Sequence, residues 1–296
     1  MKTTPAQFYT FTGNLLAERT LAFADWAPGR TQRARTESFQ VGGKGINVTR
    51  MLQRLGETST ALCFAGGATG ADCVTRLQSE GLDFQAFPAE AATRTGTVVR
   101  GGGHAETTFL GPDVPPGAGA VRACADFLDA QPGGFLAICG SIPGWEEAGF
   151  DPFRAALERW LQRGQLIADT YGPPLAWLAA RPVALVKINR TEFGGLYPGA
   201  DATAQLAGLT SKTGPRSWVV TDGPNPVRLR DEHGHTAELI PPRVKEVSAT
   251  GSGDILLACL LQARFRQGLP LKEAVEFALP YASAHASRIP NPSSSI

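Results

Sequence analysis

Short apolar runs with strand character alternate with amphipathic helical runs along most of this 296-residue chain. That alternation narrows the choice of fold more than any other feature. Parallel strands need crossover helices, so the pattern predicts an α/β protein with a mostly parallel central sheet covered on both faces. Strands are expected at 8–12, 60–65, 135–139, 166–168, 183–186 and 218–221. Helices are expected at 46–55, 71–80, 153–163, 201–212, 252–267 and 271–287, with 66–70 as a turn. In 46–55 the spacing of Ile46, Met51, Leu52 and Leu55 puts them on one helical face.

Two regions break the alternation. Residues 21–40 and 95–109 read as strands with hairpin turns, the second turning at Gly101-Gly102-Gly103. They form either a small β-lid that covers a ligand and excludes water, or plain surface hairpins. At this length about 75% of the unfolded chain's surface can be buried, so no disulfide or metal staple is needed. The five cysteines are scattered and form no CxxC, which reads as reduced, buried thiols. With no apolar signal segment at the start and no apolar run near about 18 residues, the expected location is cytoplasmic. A net charge of +1 points to neither a nucleic acid nor an anionic membrane as partner.

The segment richest in chemistry is Gly251-Ser252-Gly253-Asp254, which runs directly into the apolar stretch Ile255-Leu256-Leu257-Ala258-Cys259-Leu260-Leu261. A glycine turn at a helix start exposes backbone N–H groups at the positive end of the helix, where anions and above all phosphates bind. Asp254, just inside that turn, is placed to take a proton from an attacking hydroxyl. Together these features suggest phosphoryl transfer from a nucleotide to an alcohol.

Gly42-Gly43-Lys44-Gly45-Ile46-Asn47 also precedes a helix. It fits neither GxxxxGK[ST] nor GxGxxG, and alone it reads equally as a tight strand-to-helix turn or as a ligand loop. Lys187-Ile188-Asn189-Arg190-Thr191-Glu192 follows a buried-looking strand. Asn189 and Glu192 have the spacing of a capping box, and the same carboxylate could organise hydrated Mg²⁺ on a nucleotide. Arg30 and Arg94 are candidates for gripping a phosphate. The four histidines lack metal-ligand spacing, and no GxSxG elbow is present.

Taken together, these motifs resemble the ribokinase-like (PfkB) family of sugar kinases over nearly the whole chain. Two segments about 200 residues apart carry the resemblance: Val41-Gly42-Gly43-Lys44-Gly45-Ile46-Asn47-Val48-Thr49-Arg50 with Leu55-Gly56 beyond, and Val247-Ser248-Ala249-Thr250-Gly251-Ser252-Gly253-Asp254. Within the family the chain is most similar to the phosphosugar branch, which comprises 1-phosphofructokinase, tagatose-6-phosphate kinase and the minor 6-phosphofructokinase. Phe64-Ala65-Gly66-Gly67-Ala68-Thr69-Gly70, Thr93-Arg94-Thr95, Gly140-Ser141-Ile142-Pro143-Gly144 and the Lys-x-Asn-x-x-Glu pattern at Lys187 share that branch's wording.

The resemblance implies a three-layer α/β/α kinase domain over 1–290, with a β-lid from about 20–40 and 95–110 and a disordered tail at 291–296. It implies that Asp254 is the catalytic base and that Gly251, Ser252 and Gly253 form the anion hole. It implies that Asn189 and Glu192 order Mg²⁺ through water, and that Lys187, Thr221 and Gly223 face ATP. Gly42, Gly43 and Asn47 would touch sugar hydroxyls, Lys44, Arg30 and Arg94 the sugar's phosphate, and Ser141 the substrate loop. A homodimer shared through the lid and a monovalent cation also go with the family. The expected substrate is fructose 1-phosphate, fructose 6-phosphate or tagatose 6-phosphate. The alternatives are a kinase of an unphosphorylated sugar or nucleoside on the same fold, or a phosphosugar-binding relative without turnover.

The chain departs from the branch's pattern in several places. Asn14-Leu15-Leu16-Ala17-Glu18 stands where Asn-Pro-x-x-Asp is usual. Glu18 therefore keeps the carboxylate but carries it about 1.5 Å further, on a scale where about 1 Å of misplacement can cost 10²-fold in rate. Gly-Ser-Gly replaces Gly-Ala-Gly, Lys-Ile-Asn replaces Lys-Pro-Asn, one proline is missing from the loop after Ser141, and the segment after Ala286 is short.

Overall fold

The structure is a computed structural model that describes residues 7–102, 104–199, 201–209, 214–245 and 250–287. The expected tail at 291–296 lies outside the described residues, as do Val247, Ser248 and Ala249 of the second signature and Gly103 of the hairpin turn. In chain order, β1 (Phe8–Thr12) leads into β2 (Leu16–Phe23), β3 (Thr36–Gly42), α1 (Lys44–Arg54), β4 (Ser59–Ala65), α2 (Gly67–Ser79) and β5 (Phe84–Pro88). There follow β6 (Arg94–Gly101), β7 (His104–Leu110), α3 (Ala118–Ala130), β8 (Phe135–Gly140), α4 (Asp151–Trp160), β9 (Gln165–Thr170), α5 (Pro173–Ala179) and β10 (Leu185–Asn189). The remainder is α6 (Arg190–Leu196), α7 (Ala202–Gly208), β11 (Trp218–Asp222), β12 (Asn225–Arg230), β13 (Thr236–Leu239), α8 (Ser252–Leu260) and α9 (Leu271–Ala286).

The central sheet has the order β13-β12-β11-β10-β9-β8-β1-β4-β5. From β11 to β5 every neighbour is parallel; β12 and β13 extend the β11 edge in antiparallel fashion. Chain order reverses at β1, which pairs with β4 on one side and β8 on the other. Open parallel sheets bind ligands outside the carboxyl ends of the strands at such a switch point. Helices α1, α8 and α9 bury Val48, Leu52, Leu257, Leu260 and Val275 against one face. The opposite face is covered by α3 to α7, with Val121, Phe153, Trp160, Leu178, Phe193 and Leu206 inside. The three layers are those expected.

β1 shows why the site forms where it does. All five of its residues are buried, and its two threonines spend their hydroxyls on α1. Thr10 Oγ1 donates to the Gly45 carbonyl at 2.9 Å and lies 2.7 Å from Thr49 Oγ1; Thr12 Oγ1 accepts from the Ile46 N–H at 3.1 Å. A Cβ on Gly45 would sit 2.5 Å from Thr12 Oγ1, and one on Gly43, whose φ is 135°, would sit 2.6 Å from Thr12 Cγ2. Only glycine lets the start of α1 approach the end of β1 this closely.

The second sheet, β3-β2-β6-β7, is the expected lid. It starts earlier than the sequence suggests, because Leu16 to Thr20 pair with both β3 and β6. Several other elements differ from the expectation. Helix α2 takes in Gly67 and Gly70 of the stretch read as a turn, with Gly66 as its N-cap: a Cβ on Gly66 would lie 2.1 Å from the Ala91 carbonyl and one on Gly70 2.9 Å from the Ala65 backbone. Close packing there outweighs the poor helix propensity of glycine. β5, β12, β13, α3 and α5 are not among the elements expected from sequence. Helix α7 ends at Gly208, and 210–213 lie outside the described residues. After α8 the chain continues through a π-helical turn, Leu261–Arg266.

Candidate active site

A cleft of about 1440 Å³ runs between the carboxyl ends of the strands and the lid. Every site residue expected from sequence lines it except Arg30, which is exposed in the connection between β2 and β3. The chain by itself does not bring Arg30 to the cleft.

At the centre lies Asp169, at the end of β9 and fully buried. One oxygen accepts from Lys44 Nζ at 2.8 Å, the other from Lys187 Nζ at 2.7 Å. Burial would push this carboxyl up, but the two ammonium groups outweigh it and hold the group below the ordinary carboxylate range. Lys44 loses solvation too, yet Asp169 and Glu192, whose Oε1 is 3.8 Å away, carry its pKa well above the usual lysine value. Asp169 escaped the sequence reading. The signal was a carboxylate directly continuing the apolar run Leu166-Ile167-Ala168, where an acid has no place unless it is paired.

Asp254 faces this pair from the first turn of α8. Gly251 provides the entry, with φ 82°, and its carbonyl accepts from the N–H groups of Asp254 and Ile255, both at 3.0 Å. The N–H groups of Ser252 and Gly253 precede those bonds and mark the positive helix end. Lys187 Nζ lies so close that a Cβ on Gly253 would be 2.8 Å from it. Asp254 itself is buried, and Asn47 Nδ2 donates to its Oδ2 at 2.8 Å. Desolvation, helped by nearby Asp169, pushes its pKa up to about 6, against the pull of Asn47, Lys187 and Lys44. A carboxyl tuned toward neutrality in a cleft is suited to proton transfer.

Near the start of β6, Asn14 Nδ2 donates to Ser141 Oγ at 2.9 Å and to Asp113 Oδ1 at 2.8 Å, while Arg94 Nη1 donates to the same Asp113 oxygen at 2.7 Å. Among the described residues Arg94 Nε is buried without a partner. Asp113, which sequence reasoning missed, thus joins Arg94 to the Ser141 loop. In the lid, Glu18 accepts from Gln40 Nε2 opposite it in register. Burial raises the Glu18 pKa; Gln40 and Arg100 oppose this, and Glu106 adds to it. Gly42 and Gly43 line the cleft beside them.

At the start of α6 the capping box exists. Asn189 Oδ1 accepts from the Glu192 N–H at 2.9 Å, and Glu192 Oε2 accepts from the Asn189 N–H at 2.8 Å. The cap does not exclude the second role, because Glu192 Oε1 still faces Lys44 across the cleft. Among the described residues no group of three or more His, Cys, Asp or Glu could cage a metal. The donor set fits a cation that brings most of its ligands as water and phosphate oxygens. Thr221 lies one residue before the end of β11 with its Oγ1 donating to the Ile188 carbonyl at 3.4 Å, and Gly223 (φ 56°) turns the chain into β12. Beyond it, Pro224, Val227, Pro241, Leu256, Leu279 and Ala282 line an apolar slot.

Residues 14–289 match the family described as pfkB family carbohydrate kinase. This chain belongs to that family. It is 27% identical over 284 residues to the 1-phosphofructokinase of Bacillus subtilis (strain 168), covering 94% of this chain and 92% of that protein. It is 28% identical over 259 residues to ATP-dependent 6-phosphofructokinase isozyme 2 of Escherichia coli (strain K12), covering 83% and 81%. Its fold superposes on the crystal structure of Escherichia coli phosphofructokinase-2 in complex with fructose-6-phosphate with a TM-score of 0.85 at 23% identity, covering 95% of this chain and 94% of that one. Among the described residues no helix is long and apolar enough to cross a membrane.

Proposed function

We propose that this carbohydrate kinase transfers the γ-phosphoryl group of ATP to a hydroxyl of a phosphorylated ketohexose: fructose 1-phosphate, fructose 6-phosphate or tagatose 6-phosphate. One observation carries the reading. A buried carboxyl, raised to about 6, sits on the same helix turn as the N–H groups of Ser252 and Gly253 at the helix start, with Lys187 alongside. Proton acceptor and anion hole are thereby held within one rigid turn, as in-line transfer requires.

In this scheme Asp254 takes the proton of the attacking hydroxyl as the new O–P bond forms. Gly251, Ser252 and Gly253 direct N–H groups at the charge on the moving phosphoryl group, and Lys187 adds a cation held in place by Asp169. Asn47, Gly42, Gly43 and Glu18 orient the sugar. Lys44, Arg94 and Ser141 receive the phosphate that the sugar already carries. The apolar slot beyond Gly223 suits a purine ring, with Thr221 at its edge. Mg²⁺, ordered through water by Asn189 and Glu192, would neutralise the nucleotide phosphates. A second copy meeting this one through the lid would bring its Arg30 to the neighbouring cleft; the exposed position of Arg30 supports that arrangement. Residues 1–290 act as one catalytic unit in this reading, in a reducing, cytoplasmic setting that suits the five buried, unpaired cysteines.

Asp254→Asn tests the scheme. The variant should bind ATP and phosphosugar with near-normal affinity in calorimetry and form no ADP. Retention of most activity would remove Asp254 from the chemistry.

A further inference from the structure

Arg50 is the fourth residue of the run that starts at Asn47, one helical turn further along α1. Its side chain is buried, and nothing in the scheme above uses it. Nη1 donates to the Val41 carbonyl at 2.7 Å and to Asn47 Oδ1 at 3.2 Å. Nε donates to Glu80 Oε2 at 2.8 Å, and the other Glu80 oxygen accepts from Arg76 Nε at 2.8 Å. Among the described residues Nη2 is buried without a partner. A buried guanidinium with one N–H₂ end unmatched is costly, and an apolar side chain would serve better if joining α1 to α2 were its whole purpose.

The consequence lies one bond further in. A guanidinium only donates, so the atom of Asn47 that faces it must be the carbonyl oxygen. The amide nitrogen then points the other way, and 2.8 Å beyond it is Asp254 Oδ2. Turning the amide over would set its oxygen against a carboxylate and its N–H₂ against a guanidinium. We propose that Arg50 is a positioning residue: by fixing the Asn47 carboxamide it keeps Nδ2, and not Oδ1, on the Asp254 carboxylate. A relay of Arg76, Glu80, Arg50 and Asn47 thus reaches from α2 through α1 to the first turn of α8. The proposal rests on Asp254 being the base.

The groups around Asp254 set what is measured. Lys44 on α1 and Lys187 on β10 favour its charged form, and Asp169 on β9 opposes it. The Cys139 thiol on β8 is held far above its ordinary value by burial and stays neutral. Removing the Asn47 donor should therefore shift the acid limb of kcat upward by about one pH unit.

The test is kcat and KM against pH for Arg50→Met, Arg50→Lys, Asn47→Ala and the Arg50→Met/Asn47→Ala double variant, each normalised to folded protein, with Asp254→Asn alongside. Arg50→Met should raise the limb by about one unit and lower kcat near neutrality several-fold, with KM for ATP unchanged. Arg50→Lys, which still donates to Oδ1, should restore the limb. The double variant should shift no further than Asn47→Ala, as expected when one residue acts through the other. An unmoved limb in Arg50→Met, or additive shifts in the double variant, would overturn the proposal. If Arg50→Met does not fold, Glu80→Gln carries the test: a smaller upward shift supports the relay and an unmoved limb refutes it. An active Asp254→Asn would instead strike down the base reading itself.

Discussion

The buried Asp254 carboxyl lowers the stability of the fold, and the size of that cost follows from its surroundings. Its pKa rises from an ordinary 3.8 to about 6 in the folded chain. Below about pH 4 both folded and unfolded chains hold the proton, and the group contributes nothing. Between about pH 4 and pH 6 the folded chain keeps a proton that the unfolded chain has lost, so stability falls as pH rises. Above pH 6 the loss is complete. At about 1.4 kcal/mol per unit, a gap of about two units gives roughly 3 kcal/mol. Asp254→Asn removes the ionisation and keeps an acceptor for Asn47 Nδ2. The ligand-free variant should therefore match the parent near pH 4 and exceed it by about 3 kcal/mol at pH 8, equivalent to about 5 °C or more in Tm for a domain of this size. Urea titrations at the two pH values measure both differences. A variant less stable than the parent at pH 8, or a difference independent of pH, would refute the reasoning, because either result means the buried carboxylate is not under strain.

Asp169→Asn should do the reverse. It leaves Lys44 and Lys187 without the carboxylate between them, at a cost of about 3–5 kcal/mol for a buried network. Because the Asp169 carboxyl is held below its ordinary range, its contribution is present above about pH 4 and lost on further acidification, so the gap from the parent should narrow in acid denaturation scans. Gly253→Ala adds a methyl group 2.8 Å from Lys187 Nζ while gaining up to about 1 kcal/mol of helix propensity. Tm should hold or rise while kcat drops about tenfold or more; an unchanged kcat would show that the Lys187 position does not matter to transfer. Arg94→Ala should raise KM for the phosphosugar about 10–100-fold, the range of a lost charge-assisted bond, with kcat little changed in steady-state assays. An unaltered KM would mean that Asp113 never releases Arg94 to a phosphate.

What could be read from the sequence was what glycine and short apolar periods encode. Gly43 and Gly45 are required by the approach of α1 to β1, and Gly251 by the left-handed entry to α8, so both signatures mark real backbone constraints. Asn189 and Glu192 carried two meanings in sequence, and the fold keeps the first while leaving room for the second. Asp169 and Arg50 were hidden for a different reason. A lone charged residue at the end of a strand or inside a helix announces nothing until its partners are known, and here the charged partners come from 18 to 125 residues away. The lid was visible as a break in the alternation, but its first strand was not. Leu16 and Ala17 fall before the stretch 21–40 read as hairpin, and pairing with both β3 and β6 makes them strand. Arg30 is exposed and does not line the cleft, so the phosphate role expected for it is not one that this chain's own fold accounts for.

The most direct test is ADP formation from Mg-ATP with fructose 1-phosphate, fructose 6-phosphate, tagatose 6-phosphate, free fructose and ribose as acceptors. The account predicts turnover on at least one phosphosugar and little on the free sugars, with Asp254→Asn silent on all. Turnover on free fructose or ribose exceeding that on every phosphosugar, or no turnover by folded protein that binds ATP, would contradict it.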